Sequence, residues 1–164
     1  MALIPLANNG VEHPMVEPPS IDHLYRDPDT SLPIRLIVVP ALSSDPADNH
    51  WMVVWTVSEH DDLIIRQLQI VRETGYDHLT NWGAITVTAD DRTRHAPKFS
   101  LGELTLSQRK SLEGVAQETP VMMPNGEWNC QHWVADVLEK AVEQDILVKE
   151  VVEKARTSAR MVSL

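Results

Sequence analysis

One cysteine, Cys130, lies at the start of a predicted helix in this chain of 164 residues, and a thiol placed there can do chemistry. Asn129 is a favourable N-cap, and apolar residues recur at helical spacing from Cys130 onward. A helix N-terminus favours a thiolate and can lower the pKa of a cysteine. Cys130 is therefore a candidate nucleophile for acyl transfer, with backbone N–H groups beside it as an oxyanion hole. A buried structural cysteine is the alternative.

A thiol nucleophile needs a base, and His50 is the best candidate among the seven histidines. It begins the apolar segment 50–58, which predicts a central strand, and a histidine entering a sheet there needs a polar partner. His132 lies about 200° around the helix from Cys130, so it cannot easily face the thiol. The remaining histidines lie in predicted loops or near the N-terminus.

The hairpin of segments 50–58 and 63–71 supplies the polar partner. If the facing ends of the two segments pair, Met52 lies opposite Gln69. Gln69 is then the diagonal neighbour of His50 on the same face of the sheet, within reach of a long side chain. Gln69 is therefore predicted to orient the imidazole, as the third group does in Cys-His sites.

The other elements predict an α+β fold, in which a small antiparallel sheet packs against the Cys-bearing helix and one or two further helices. Residues 1–33 are rich in proline and are predicted to be an irregular arm, followed by one α+β domain of residues 34–164. The last helix is amphipathic, and its apolar stripe is assigned to the core, with a dimer face as the minority alternative. Strands are predicted at 34–39, 50–58, 63–71 and 82–88, a loop at 89–98, and helices at about 105–118, 130–142 and 148–156.

The composition restricts the expected cellular location of the protein and the kinds of partner that it can bind. Lys plus Arg is 14 and Asp plus Glu is 24, for a net charge of −10, which argues against DNA and anionic membranes but leaves a transfer RNA donor open. One cysteine excludes an intramolecular disulfide. Without a transmembrane-length apolar run or a basic leader, the expected location is cytoplasmic. The predicted partner is a small-molecule or acyl-thioester substrate, and a homodimer is the alternative assembly.

Two segments resemble the lecithin:retinol acyltransferase-like proteins, which are permuted papain-like thiol enzymes of the NlpC superfamily. Residues 129–134, Asn-Cys-Gln-His-Trp-Val, are similar to the Asn-Cys-Glu-His-Phe-Val signature of that family. Residues 49–55, Asn-His-Trp-Met-Val-Val-Trp, are similar to the strand that carries its histidine. The resemblance implies a permuted papain-like fold with Cys130 as nucleophile and His50 as base. This chain lacks the second strand histidine of that family, because its nearest candidate, His60, lies at the hairpin tip and not on a strand beside His50.

These features predict a cysteine-nucleophile enzyme, either an acyltransferase or a hydrolase of amides, esters or thioesters. Neither a cofactor nor a metal site is predicted, since Cys130 and His132 splay apart on their helix. The overall pattern is also close to small fungal proteins with an Asn-His-Trp strand and a Cys-bearing helix. Two alternatives stay open, a non-catalytic interaction protein on the same fold and an aminoacyl-transferring cyclodipeptide synthase of fungal type. The substrate pocket is predicted to be walled by the proline-rich arm together with Trp128, Trp133, Met122, Met123, Asn129 and Asn49.

Overall fold

A five-stranded antiparallel sheet organises the chain in the computed structural model, which describes residues 2–13 and 17–163. In chain order the strands are β1 (Leu32–Val39), β2 (His50–Ser58), β3 (Ile64–Leu68), β4 (Val71–Arg72), β5 (Leu79–Thr80), β6 (Ile85–Thr88) and β7 (Lys98–Leu104). The sheet order is β6-β3-β2-β1-β7, and β4 pairs with β5 in a separate ribbon. The helices are α1 (Asp91–His95), α2 (Leu106–Glu118), α3 (Cys130–Glu143) and α4 (Lys149–Arg160). The predicted α+β class with an antiparallel sheet is confirmed.

The two faces of the sheet are covered differently. Because side chains alternate along a strand, β2 directs Trp51, Val53 and Trp55 to one face and Met52 and Val54 to the other. The first face packs under α2, α3 and α4 and holds the main core, which includes Trp51 and Trp55. The second face carries a smaller apolar cluster that includes Ala89 and Ala96 from the segment around α1. That thinner cover leaves room for a cleft beside His50.

Three elements, α1, β5 and β7, were missed in the sequence, and the strands predicted at 63–71 and 82–88 were too long. The predicted loop 89–98 contains α1, whose N-cap Asp90 accepts a hydrogen bond from the backbone N–H of Thr93. The edge strand β7 was not predicted, because its apolar alternation is broken at Gly102. The predicted strand 63–71 ends at Leu68, and the chain pairs again only in β4. Within the described residues, no helix combines the length and apolarity needed to cross a membrane.

The described residues ahead of β1 lie across the domain and are held by hydrogen bonds. The backbone N–H of Leu6 donates to the carbonyl of Val121 over 2.7 Å. Farther along, Asp27 pairs with Arg109, which is completely buried and also donates to three backbone carbonyls. The paired charges and saturated donors make this contact a fixed anchor. Strand β1 begins at Leu32, one residue before the predicted end of the arm.

Candidate active site

Helix α3 presents Cys130 as its first residue, immediately after a well-formed N-cap. The side chain of Asn129 accepts a hydrogen bond from the backbone N–H of Gln131 over 3.0 Å. In return, Nδ1 of His132 accepts the backbone N–H of Asn129 over 3.1 Å, which completes a capping box. His132 is thus occupied at the cap. As a first-turn residue, Cys130 has no intrahelical acceptor for its own N–H.

The loop before β2 is tied to this helix start by side-chain amides. Nε2 of Gln131 lies 2.8 Å from the carbonyl oxygen of Pro46 and 3.0 Å from that of Asn49. Nδ2 of Asn129 donates to the carbonyl of Ala47 over 3.2 Å. Because His50 directly follows Asn49, these bonds fix the cysteine relative to the histidine. They also leave the amide N–H groups of Gln131 engaged, so that residue is not free to stabilise an oxyanion.

The predicted register of the hairpin is confirmed between Val53 and Thr56, but a bulge before Ser58 pairs that residue with Ile64 and not with Leu63. Val54 lies opposite Gln67 and Val53 lies opposite Leu68, which puts Gln69 diagonally across from His50. Oε1 of Gln69 lies 2.7 Å from Nε2 of His50. Because an amide carbonyl can only accept, Nε2 carries the proton, and Nδ1 of the neutral ring is left with its lone pair. That nitrogen is the one that can take a proton from a thiol.

The thiol and the imidazole change each other's ionisation. Burial alone would raise the pKa of Cys130, but hydrogen bonding and charge from His50, aided by the backbone N–H groups of Trp51 and Cys130, hold that pKa below its ordinary 9.0. Burial alone would lower the pKa of His50, but Cys130 and Gln69 raise it above its ordinary 6.5. Sγ also lies 3.8 Å from the carbonyl oxygen of Asn49. Both shifts favour a thiolate–imidazolium pair.

His50 and Gln69 open into a cleft of about 740 Å³ on the second face of the sheet. Its floor includes the apolar side chains of Met52 and Ile65. Gln67 also lines the cleft and is only 7% exposed, and its side-chain amide forms no hydrogen bond with the described residues. The volume is sufficient for a small molecule, and an apolar floor with few polar groups is typical of ligand sites.

The walls of the cleft come from segments that the sequence analysis did not use. Arg92 lies on one wall and is anchored by a 2.7 Å bond from Nη2 to the carbonyl of Pro40. Leu42 lies on another wall and is 95% exposed. The Asp90 cap and the following arginines were the available signal for α1. The alternation of polar and apolar residues over 67–70, Gln-Leu-Gln-Ile, was the signal for Gln67.

A second cavity, of about 280 Å³, lies along the outer side of the first turns of α3. Its lining includes Trp51, Trp128 and Leu3, as well as Gln131, the residue next to Cys130. Trp128 and the N-terminal arm, both predicted to wall the substrate pocket, therefore meet at this cavity and not at the cleft that reaches His50.

The remaining predicted pocket residues lie outside the cleft. Asn49 is 3% exposed, and its amide accepts from the N–H of Ala41 and donates to the carbonyl of Val162, both over 2.9 Å. Trp133 is completely buried, and its indole N–H donates to the carbonyl of Thr119. These two side chains therefore bind protein groups, and a pocket assignment for them is corrected to a structural one.

Met122 and Met123 lie where the arm meets the segment between α2 and α3. Met122 pairs with Pro5 in an isolated bridge, and the N–H of Met123 donates to the carbonyl of Ile4 over 2.7 Å. Neither methionine lines the cleft. Met122 packs against the main core on the first face of the sheet, so the cleft does not match the predicted pocket wall.

Among the described residues, no group of three or more His, Cys, Asp or Glu side chains is arranged to hold a metal ion. No protein-family model, no curated protein and no solved structure matches this chain. The functional argument therefore rests on the geometry of the site.

Proposed function

We propose that this protein is a cysteine-nucleophile acyl-transfer enzyme with a permuted papain-like arrangement, in which the histidine strand precedes the cysteine helix. The observation that carries the proposal is the series Gln69–His50–Cys130, of which His50 and Gln69 line the cleft. Its 2.7 Å contact between Gln69 and Nε2 of His50 leaves Nδ1 available for the thiol. This is the order of orienting group, base and nucleophile that thiol catalysis requires.

The chemistry follows from those three side chains. Nδ1 of His50 takes the Sγ proton, and the thiolate attacks the carbonyl carbon of an ester, thioester or activated amide, which forms a C–S bond. The N–H of Cys130 at the start of α3 stabilises the resulting oxyanion. When the tetrahedral intermediate collapses, the bond to the leaving group breaks, and the imidazolium returns its proton to that group. The product is a thioester on Cys130.

The second half of the reaction regenerates the thiol. His50 takes a proton from water, an alcohol or an amine as that acceptor attacks the thioester carbonyl. The C–S bond then breaks, and the proton passes from His50 to Sγ. Water gives hydrolysis, whereas an alcohol or amine gives acyl transfer. The apolar floor at Met52 and Ile65 is suited to the acyl chain, with the Gln67 amide available for a polar group on it.

Intact-mass spectrometry after incubation with aryl thioesters and aryl esters of graded acyl length tests this proposal. Because the chain has one cysteine, a thioester adduct can form only at Cys130. We expect one acyl adduct on the wild type that hydroxylamine removes, and none on Cys130→Ser. A native thiol that no donor acylates, while the unfolded protein is acylated readily, would contradict the proposal and favour a non-catalytic role for the fold.

A further inference from the structure

The ribbon of β4 and β5 contributes a wall to the cleft at His50. Val71, Arg72 and Leu79 line that cleft, and each strand of the ribbon is only two residues long. The two strands pair with each other and not with the five-stranded sheet. An isolated two-stranded ribbon is at best marginally stable in water. The wall therefore needs support from another part of the chain.

The N-terminal arm supplies such a support through Gly10. The carbonyl oxygen of Gly10 lies 2.9 Å from Nε2 of His78 and accepts a hydrogen bond from Oγ1 of Thr80 over 3.3 Å. Because a carbonyl can only accept, Nε2 of His78 carries the proton. His78 and Thr80 are both buried, so water does not compete for these donors. Leu79 lies between the two donors in the chain, so the arm holds the ribbon beside a residue that lines the cleft.

The backbone of the arm fits closely against the ribbon at Gly10. Its φ of +78° lies in the left-handed region, and a Cβ atom at this position would overlap the carbonyl oxygen of Leu79. Only glycine meets both conditions without strain. A side chain at position 10 should therefore push the arm away from β5.

The same segment of the arm is bonded to helix α2. Nδ2 of Asn9 donates to the carbonyl of Gln117 over 3.1 Å, and the carbonyl of Asn9 accepts the backbone N–H of Asn81 over 3.0 Å. Asn81, directly after β5, also donates from Nδ2 to the carbonyl of Ala116 over 3.0 Å. The end of the ribbon thus has its own bond to α2, and Asn9 and Gly10 extend that connection to β5 itself.

We propose that Gly10 and His78 are positioning residues for the substrate, because they hold β4 and β5 in place as a wall against which the acyl group packs. The inference rests on the proposed acyl-transfer function for the identity of that substrate. The hydrogen bonds of this contact join the arm to the ribbon, whereas His50 is held by Gln69. Loosening the ribbon should therefore weaken binding of the acyl donor and leave the reactivity of the thiol unchanged.

Amide hydrogen exchange and acylation kinetics on the full-length Gly10→Ala variant test the proposal together. We expect the amides of residues 71–80 to exchange about tenfold faster than in the wild type, with those of α3 unchanged. The aryl thioester concentration that half-saturates acylation of Cys130 should rise about tenfold, while the maximal rate of acylation stays the same. Gly102→Ala is the matched control, because Gly102 has a φ of +95° but a Cβ atom there would meet nothing within 4 Å.

A second variant tests the same contact if Gly10→Ala does not fold. His78→Phe keeps an aromatic ring and removes the donor to the Gly10 carbonyl, so it should raise the half-saturating concentration about threefold. His23→Phe makes the same change at an exposed histidine of the arm and should have no effect.

The two readouts separate the possible failures. Unchanged exchange in 71–80 for Gly10→Ala, or an equal increase in Gly102→Ala, would overturn the support of the ribbon by the arm. Faster exchange with an unchanged half-saturating concentration, or with a lowered maximal rate alone, would overturn the role in positioning substrate. A wild type that no donor acylates would contradict the proposed function instead, and hydrogen exchange would still decide whether the arm holds the ribbon.

Discussion

The cleft at His50 and the cavity lined by Trp51 and Trp128 differ in how their buried polar groups are hydrogen-bonded. In the cleft, His50 is held by Gln69, and the adjoining loop is held by the amides of Asn49 and Gln131. In the first region hydrogen bonds position His50, whereas in the second region three buried donors have no acceptor among the described residues.

Hydrogen-bonded polar groups and unsatisfied buried donors predict different effects of mutation. A satisfied network fixes a reactive group in place, so its removal should change reactivity and stability. An unsatisfied donor already weakens the fold, so its removal should leave stability unchanged or slightly higher.

The largest effect is expected from removing the base. His50→Ala should slow acylation of Cys130 by an aryl thioester about 100-fold or more, because the thiol loses its general base and its ion-pair partner. Intact-mass spectrometry of samples quenched at successive times would measure the rate of acylation. His60→Ala is the matched control, since His60 is exposed at the hairpin tip and should react like the wild type. Equal loss in both variants would refute a special role for His50.

A large effect on stability is expected at Asn49. Asn49→Ala breaks both bonds of its amide, to Ala41 and to Val162, and leaves a buried donor and acceptor without partners. The free energy of unfolding should fall by roughly 2 kcal/mol, measured by urea denaturation. An unchanged midpoint would show that the bonds around the cleft are not the fixed network described above.

Gln67 in β3 and Gln69 directly after it provide a matched pair of glutamines with a smaller effect. Gln69→Leu should lower the free energy of unfolding by about 1 kcal/mol and slow alkylation of Cys130, because His50 loses its partner. Gln67→Leu should leave stability unchanged or slightly higher, with alkylation unaffected, because that amide has no partner among the described residues. Urea denaturation and iodoacetamide kinetics on both variants would test this contrast. The same result in both would remove the distinction between the two side chains.

The smallest effect is the pH dependence of stability. Because the folded pKa of Cys130 is lowered, its contribution is present above the unfolded value of 9.0 and is lost as pH falls through the folded pKa. Because the folded pKa of His50 is raised, its contribution is present below 6.5 and is lost as pH rises through the folded pKa. The stability advantage of the wild type over Cys130→Ser should therefore grow as pH rises toward 9.0. Urea denaturation across that pH range would measure the difference in free energy of unfolding between the two proteins. A difference that does not change with pH would show that the pKa of the thiol is not lowered by folding.

Much of the candidate site was predictable because its signals are local. The N-cap at Asn129 defines where α3 begins, and the apolar run after His50 defines β2. The position of Gln69 needed only the period of a strand and the length of one turn.

The pocket walls were not predictable in the same way. Trp128 lines one cavity or the other according to which face of the sheet α3 covers. The local sequence does not determine that face. The cleft wall at Arg92 depends on a five-residue helix and the edge strand after it, whose short polar sequences resemble loops. Long-range packing determined both outcomes.

The pH dependence of iodoacetamide alkylation at Cys130 in the native wild type tests the central claim most directly. Intact mass reports the adduct, since the chain has one cysteine. The account predicts alkylation of the native protein with a midpoint below the ordinary thiol pKa of 9.0, while the urea-unfolded protein titrates as an ordinary thiol. A native thiol that reacts only after unfolding, or whose midpoint is at or above 9.0, would contradict it.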